Sequence, residues 1–430
     1  MLRVVDDIFF QFLWNSNVNK IAKKTVISSI EHGGFKMIDI YTKVKTLKIA
    51  WIRRAILNPN SVWKLIIDES LGDLTFDYAV RCTGLSEHYK LKIPIFYRDI
   101  VQHLSTLRSN AIENKNEIIC EPLWLNNQIT IENKPIIWKK WLHKGIKYVN
   151  DLLDPQGHLL SLDDFNARYN INCSFLDHMR IRQAIPSPWR RYLAITNTHP
   201  DINTSSIPFY ITDGDRNLNM LKAPSKDIYW ICISNLTRNH QPSCIQKWES
   251  IYDIDPGIWP QLFVASFRAC RETRLQSFQY RVIHRTLPCN DWLFVRKIVP
   301  SNTCSYKYCE YKGEIDTLKH YLVTCSPVQA FWQSYVTWWN SLEYSNLFPL
   351  VEENIFLGFP CNTNEDSVLN FTLIVAKSHI YSCKRKQKSI FFLEYLAIVK
   401  DKLCVEENIN SINGTNTKFN HIWGYLQDTL

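Results

Sequence analysis

EHGGFKMIDIYTKVKTLKIAWIRRAILNPN, residues 31–60, carries a turn, a start signal, a helical period and a stop within thirty residues. Gly33-Gly34 supplies the turn, Asp39 is a candidate N-cap and Pro59 closes the stretch. Between them Val44, Leu47, Trp51 and Ala55 fall on one stripe, while Lys43, Lys45, Lys48, Arg53 and Arg54 occupy other faces. That is the pattern of a packed helix with a basic, solvated side. The same reading extends outward. Val5, Ile8, Phe9, Phe12 and Leu13 predict a first helix with a wide apolar face, ending near Trp14. Residues 136–171 read as helix, a turn at Pro155 to Gly157, and helix again.

Within that last segment stand two adjacent acids, Asp163 and Asp164. A two-metal polymerase pair needs a further carboxylate and a tight turn between strands. Ser161 followed three residues later by Asp164, just before Phe165, is better explained as a variant capping box that opens a helix. Residues 196–226 are polar, rich in turn formers and without period, so 196–243 is expected to be a variable linker. Beyond it, 244–298 predicts two or three helices. On the one covering 267–286, Arg274, Arg281 and Arg285 share one side, with Arg271 close by. The final 85 residues continue with helices, one basic break being SCKRKQKS at 382–389. The expected fold is mainly α and multi-helical, in several small units: 1–60, 61–195, the linker 196–243, 244–345 and 346–430.

Composition limits what such a chain can do. At 430 residues it exceeds what one core usually serves, and 13% aromatic residues provide material for several. Twelve glycines and no G-x-x-x-x-G-K pattern turn the reading away from nucleotide-loop enzymes. Asp6 and Asp7 interrupt the apolar start, no cleavage site follows, and no apolar run approaches bilayer length, so an intracellular protein without a membrane partner is expected, nuclear or cytoplasmic being undecided. Thirteen scattered cysteines then argue against a disulfide framework and raise metal binding for any cluster. The net charge of +9 is concentrated: residues 1–60 hold ten Lys/Arg against four Asp/Glu and 261–300 hold seven against two, leaving the rest slightly acidic. Two basic islands on a near-neutral body suit a polyanion partner, although ordinary solvated helices look the same.

One cluster stands out. CSYKYCEYKGEIDTLKHYLVTC, residues 304–325, spaces its polar-soft residues as Cys304-x4-Cys309-x10-His320-x4-Cys325. Three thiolates and an imidazole close a tetrahedral zinc shell without water, the pattern of structural sites. Gly313 would turn the chain back, and Thr317 to Thr324 would be helical. Two other readings stand beside zinc: unrelated core residues, since free cysteine is often buried, and a catalytic Cys-His pair, for which no orienting acid is evident. A RING-type site would need eight ligands.

These segments together resemble a known family. FFQFLWNSNVNKIAKKTVISSIEHGGFKMIDIYTKVKTLKIAWIRRAI (9–56) resembles the region just after the polymerase palm in LINE-type, non-LTR retrotransposon reverse transcriptases. WLHKGIKYVNDLLDPQGHLLSLDDFNARYNI (141–171) with AIPSPWRRYL (184–193) is similar to the middle of that region. LQSFQYRVIHRTLPCNDWLFVRKIVPSNTC (275–304) with TLKHYLVTCSPVQAFW (317–332) is similar to the family's zinc-binding segment and the helix leading into it. The resemblance implies a thumb-like segment at 1–60, a wrist-like helical region at 61–195, and a zinc-knuckle-like module with structural Zn2+ on Cys304, Cys309, His320 and Cys325. It implies template RNA and target DNA as partners; whether a polymerase palm on another chain is a further one stays open. The cluster's first two intervals are longer than the family's, and the fingers, palm and endonuclease have no counterpart, so the chain is expected to be the non-catalytic tail of such a protein. Lys43, Lys48, Arg53 and Arg54, with Arg271, Arg274, Arg281 and Arg285, are the expected nucleic-acid contacts, beside Trp14, Trp51, Phe278 and Tyr280 as stacking surfaces. The rival expectation is a protein-interaction or structural module that binds no nucleic acid.

Overall fold

In the computed structural model the Asp39 carboxylate accepts the Thr42 amide at 2.8 Å, and the helix Ile40–Leu57 follows from that cap. The structure describes residues 2–15, 19–58, 60–108, 115–195, 207–342 and 350–427; Pro59 and most of the Thr196–Ile207 stretch lie outside them. Helices dominate, and the strands among the described residues form two antiparallel two-stranded ribbons. The mainly α expectation holds. No helix of the described residues is long and apolar enough to cross a membrane.

The chain divides into two units, Met1–Asp6 with Ile38–Arg238, and Asp7–Met37 with Asn239–Leu430. In the first, Ile40–Leu57 packs against Ser225–Thr237 and Ile95–Thr106. Its core includes Ile49, Ile52, Trp124, Phe165 and Phe209. In the second, Asn364–Arg385 runs through the middle, contacted by Trp259–Ala269, Thr273–Ile283, Phe392–Ile412 and Asn416–Gln427. Fourteen of its residues are buried, Asn370, Thr372, Lys377, His379 and Lys384 among them, so this helix is enclosed on more than one stripe. Phe10, Trp14, Ile21 and Val26 form a small core with Tyr280 in the same unit. The Gly-Gly turn is required there: Gly33 has φ +74°, and a Cβ on Gly34 would meet the Ser28 carbonyl oxygen at 2.0 Å.

Several expectations are corrected by this arrangement. The 1–60 segment is not one unit, because residues 7–37 belong with 239–430. The linker 196–243 is largely folded where it is described: Tyr210–Thr212 pairs with Asn217–Asn219, and Ser225–Thr237 buries Ile228, Ile231 and Cys232 in the first core. Polar turn residues there make a hairpin, not a spacer. On Ile40–Leu57 the buried side is Thr42, Thr46, Ile49, Ile52 and Ala55, whereas Leu47 and Trp51 are exposed. Similarly Leu2–Trp14 is helical, but it buries Phe10 and Trp14 and exposes Val5, Ile8, Phe9 and Phe12. Both helices are apolar on more than one face, so periodicity alone could not choose the face. The helix expected over 267–286 is two, Trp259–Ala269 and Thr273–Ile283.

Candidate metal centre and basic faces

The cluster at 304–325 is assembled by backbone pairing before any donor is considered. An antiparallel bridge joins Thr303 to Ile315, the Cys304 amide donates to the Glu314 carbonyl at 2.9 Å, and the Glu314 amide donates to Cys309 at 3.0 Å. Gly313, at φ +67°, lets the chain return as its sequence position suggested. Cys309 lies on the short helix Lys307–Tyr311. Thr317 Oγ1 accepts the His320 amide at 3.1 Å, opening a single π turn, His320–Thr324, in which the Cys325 amide reaches back to the His320 carbonyl. Such turns recur at functional sites. Cys325 then caps the helix Ser326–Asn340.

All four side chains are buried and their donor atoms lie within 4.8 Å of one another. Cys325 Sγ is 3.9 Å from Cys304 Sγ and 3.7 Å from Cys309 Sγ. These are too long for a disulfide, whose sulfurs stand about 2.05 Å apart. They match the edge of a tetrahedron around an ion with metal–sulfur bonds of about 2.3 Å, which is about 3.8 Å. His320 Nε2 is buried without a hydrogen-bond partner. A buried ring nitrogen left in that state costs about 1–3 kcal/mol, and coordination to a metal ion would remove the cost. The set fits a metal ion.

The three thiols influence one another's charge, and not all in one direction. The hydrogen bond with Cys325 pulls the Cys304 thiol well below its ordinary value against the cost of burial, with His320, the Tyr306 amide and Lys384 adding to it. Cys325 is pushed up in turn. Burial pushes the Cys309 thiol up, while its contact with Cys325 and the Ser326 amide work against that rise. Behind the cluster, Lys384 Nζ is 2.9 Å from Asp316 Oδ1 in a pair whose side chains are 1% and 0% exposed, and it lies 4.2 Å from the Tyr321 ring centroid. This ion pair ties the hairpin to the Asn364–Arg385 helix, and nothing in the local sequence announced it.

The basic residues expected to bind nucleic acid do not share one role. Lys43 and Arg54 are exposed, Arg54 lying over Trp51 at 4.9 Å. Lys48 pairs with Asp99 at 2.9 Å, and the Arg53 guanidinium donates to the Ala223 carbonyl. In the second unit Arg271 sits in the break between two helices, where its amide donates to Glu406 at 2.6 Å, while Arg274 is exposed on Thr273–Ile283. Arg285 lies past that helix at φ +54° and covers Trp248 at 4.9 Å, so it does not continue the Arg274 and Arg281 face. Instead Arg281 and Arg296 lie close enough to lower the pKa of Lys20, after burial, and the three make a local positive group. Trp14 and Tyr280 are buried and cannot stack on a ligand; Trp51 is exposed, and Phe278 is half-buried against Tyr381.

Of the two adjacent aspartates, Asp164 joins Ser161 in the cap. Ser161 Oγ accepts the Asp164 amide at 3.2 Å and donates to its carboxylate at 2.6 Å, at the start of Leu162–Tyr169. No family model and no curated protein matches the chain.

Proposed function

We propose that this chain is the nucleic-acid-binding, non-catalytic C-terminal part of a non-LTR retrotransposon reverse transcriptase, built around a zinc-knuckle-like module. The convergence of Cys304, Cys309, His320 and Cys325 on one point supports this reading most, because it falls within the segment that carries the family resemblance. Zn2+ is the ion that three thiolates and one imidazole suit best, and with four protein ligands its role is structural. Template RNA and target DNA are the partners the resemblance suggests, with a polymerase palm on another chain. Lys20, Arg274, Arg281 and Arg296 supply phosphate-neutralising charge in the same unit as the metal donors.

If about five such contacts reach single-stranded RNA, log K falls against log salt with a slope of about −3.5. Replacing Arg274, Arg281 and Arg296 together by Gln flattens the slope by about 2 and weakens binding alike across sequences. Titration of both proteins with labelled RNA at three salt concentrations, with circular dichroism to check folding, tests this. An unchanged slope in the folded triple variant removes this face from the interface. A second reading, a protein-interaction module, is favoured by the exposed apolar row Ile8, Phe9 and Phe12, the last 87% exposed. A parent protein that binds neither RNA nor DNA would select it.

A further inference from the structure

A second group of donors lies in the same unit and belongs to neither the 304–325 cluster nor the basic face. His379 and Cys383 stand four residues apart on Asn364–Arg385, which places both on one side of that helix. Cys383 Sγ is 3.7 Å from His379 Nε2 and 3.8 Å from Nδ1. Glu394, in the first turn of Phe392–Ile412, brings a carboxylate oxygen to the same point, all three donor atoms lying within 4.8 Å of one another. His379 and Cys383 are buried, whereas Glu394 is exposed.

Around an ion with metal–nitrogen and metal–sulfur bonds of about 2.0 and 2.3 Å, a tetrahedral N–S edge is about 3.5 Å, close to what the ring and thiol already show. The Phe391 carbonyl hydrogen-bonds the imidazole. That is the outer contact which usually orients a ligating histidine, leaving the other nitrogen to face the ion. The three donors line a cavity of about 260 Å³ together with Lys386, Lys388 and Lys402. Its mouth therefore offers room for a fourth ligand; Lys402 is paired with Glu272 at 2.8 Å, and Lys386 and Lys388 favour an anionic one.

The geometry points to a second metal site, in which His379, Cys383 and Glu394 hold a zinc-class divalent cation and leave one coordination position open to the cavity. It differs from the first cluster in kind: three protein ligands of mixed N, S and O chemistry make an open shell, where three thiolates and an imidazole make a closed one. The fourth ligand is water, hydroxide or a small anion held near Lys386 and Lys388. The site does not depend on nucleic-acid binding.

Cobalt titration of the reduced, metal-free full chain tests it, because the two donor sets differ in colour: a three-thiolate site gives strong sulfur-to-metal charge transfer and a one-thiolate site weak. Two equivalents are expected in the parent, confirmed by zinc analysis. Glu394→Gln alters an exposed side chain, spares folding, and weakens the second equivalent by about tenfold or more. His379→Ala abolishes it and leaves the three-thiolate spectrum intact. Cys309→Ser does the reverse, keeping the weak-colour equivalent that Glu394→Gln perturbs. A parent that binds a single equivalent with three-thiolate character, or a second equivalent that Glu394→Gln leaves at full affinity, overturns the proposal.

Discussion

His320 Nε2 is a buried acceptor or donor with no protein partner, set among three sulfurs. His320→Ala would remove one of four ligands, and the full chain is expected to lose one equivalent of zinc, the one held by the three thiolates, as metal analysis after gel filtration would show. His320→Cys keeps the donor count and should retain the metal, whereas a purely structural histidine would not be rescued by a thiol. Cys173→Ser and Cys404→Ser, at residues outside the group, should leave zinc content unchanged. If His320→Ala retains the equivalent that gives three-thiolate character with cobalt, the ligand set is wrong. At this scale the sequence was informative, because four soft donors within twenty-two residues are rare enough to name one by one. The second donor group left a fainter trace. His379-x3-Cys383 has the right helical spacing, but its third member comes from the next helix, across the basic break at 382–389.

For single elements, local chemistry located the starts better than the faces and ends. Asp39 and Ser161 cap where their residue types suggest, since a side-chain oxygen beside free amides needs no tertiary context. The break after Ala269 has no glycine or proline to mark it. It is made by Glu406, a carboxylate 3% exposed on Phe392–Ile412, which takes the Arg271 amide at 2.6 Å. Burial raises its pKa, and the amides of Arg271 and Glu272 work against that rise. An acceptor more than a hundred residues away cannot be read from a helical wheel. Glu406→Ala would leave a buried amide unpaired and should cost about 1–3 kcal/mol in urea unfolding. Glu406→Gln keeps an acceptor and should cost less. Equal losses would show that the carboxylate's contribution is charge rather than the capping contact.

In the whole molecule, the mainly α architecture was legible because helical period and caps recur along the chain, but the partition into units was not. Residues 7–37 carry no local mark that they belong with 239–430; that is decided by the fit of Phe10, Trp14, Ile21 and Val26 against Tyr280. Both donor groups fall in this second unit, and none of their residues lies in the first. Metal should therefore stabilise one unit selectively. An ion at a hundredfold over its dissociation constant adds about 2.7 kcal/mol to whatever binds it. For a unit of this size, that corresponds to roughly 5–10 °C in its midpoint. Calorimetry of the full chain is expected to resolve two transitions, with a chelator lowering one and leaving the other in place. His320→Ala should lower the same transition without chelator. Should both transitions move together, or only one exist, the two units fold as a single cooperative body, and the metal's contribution is shared across the chain.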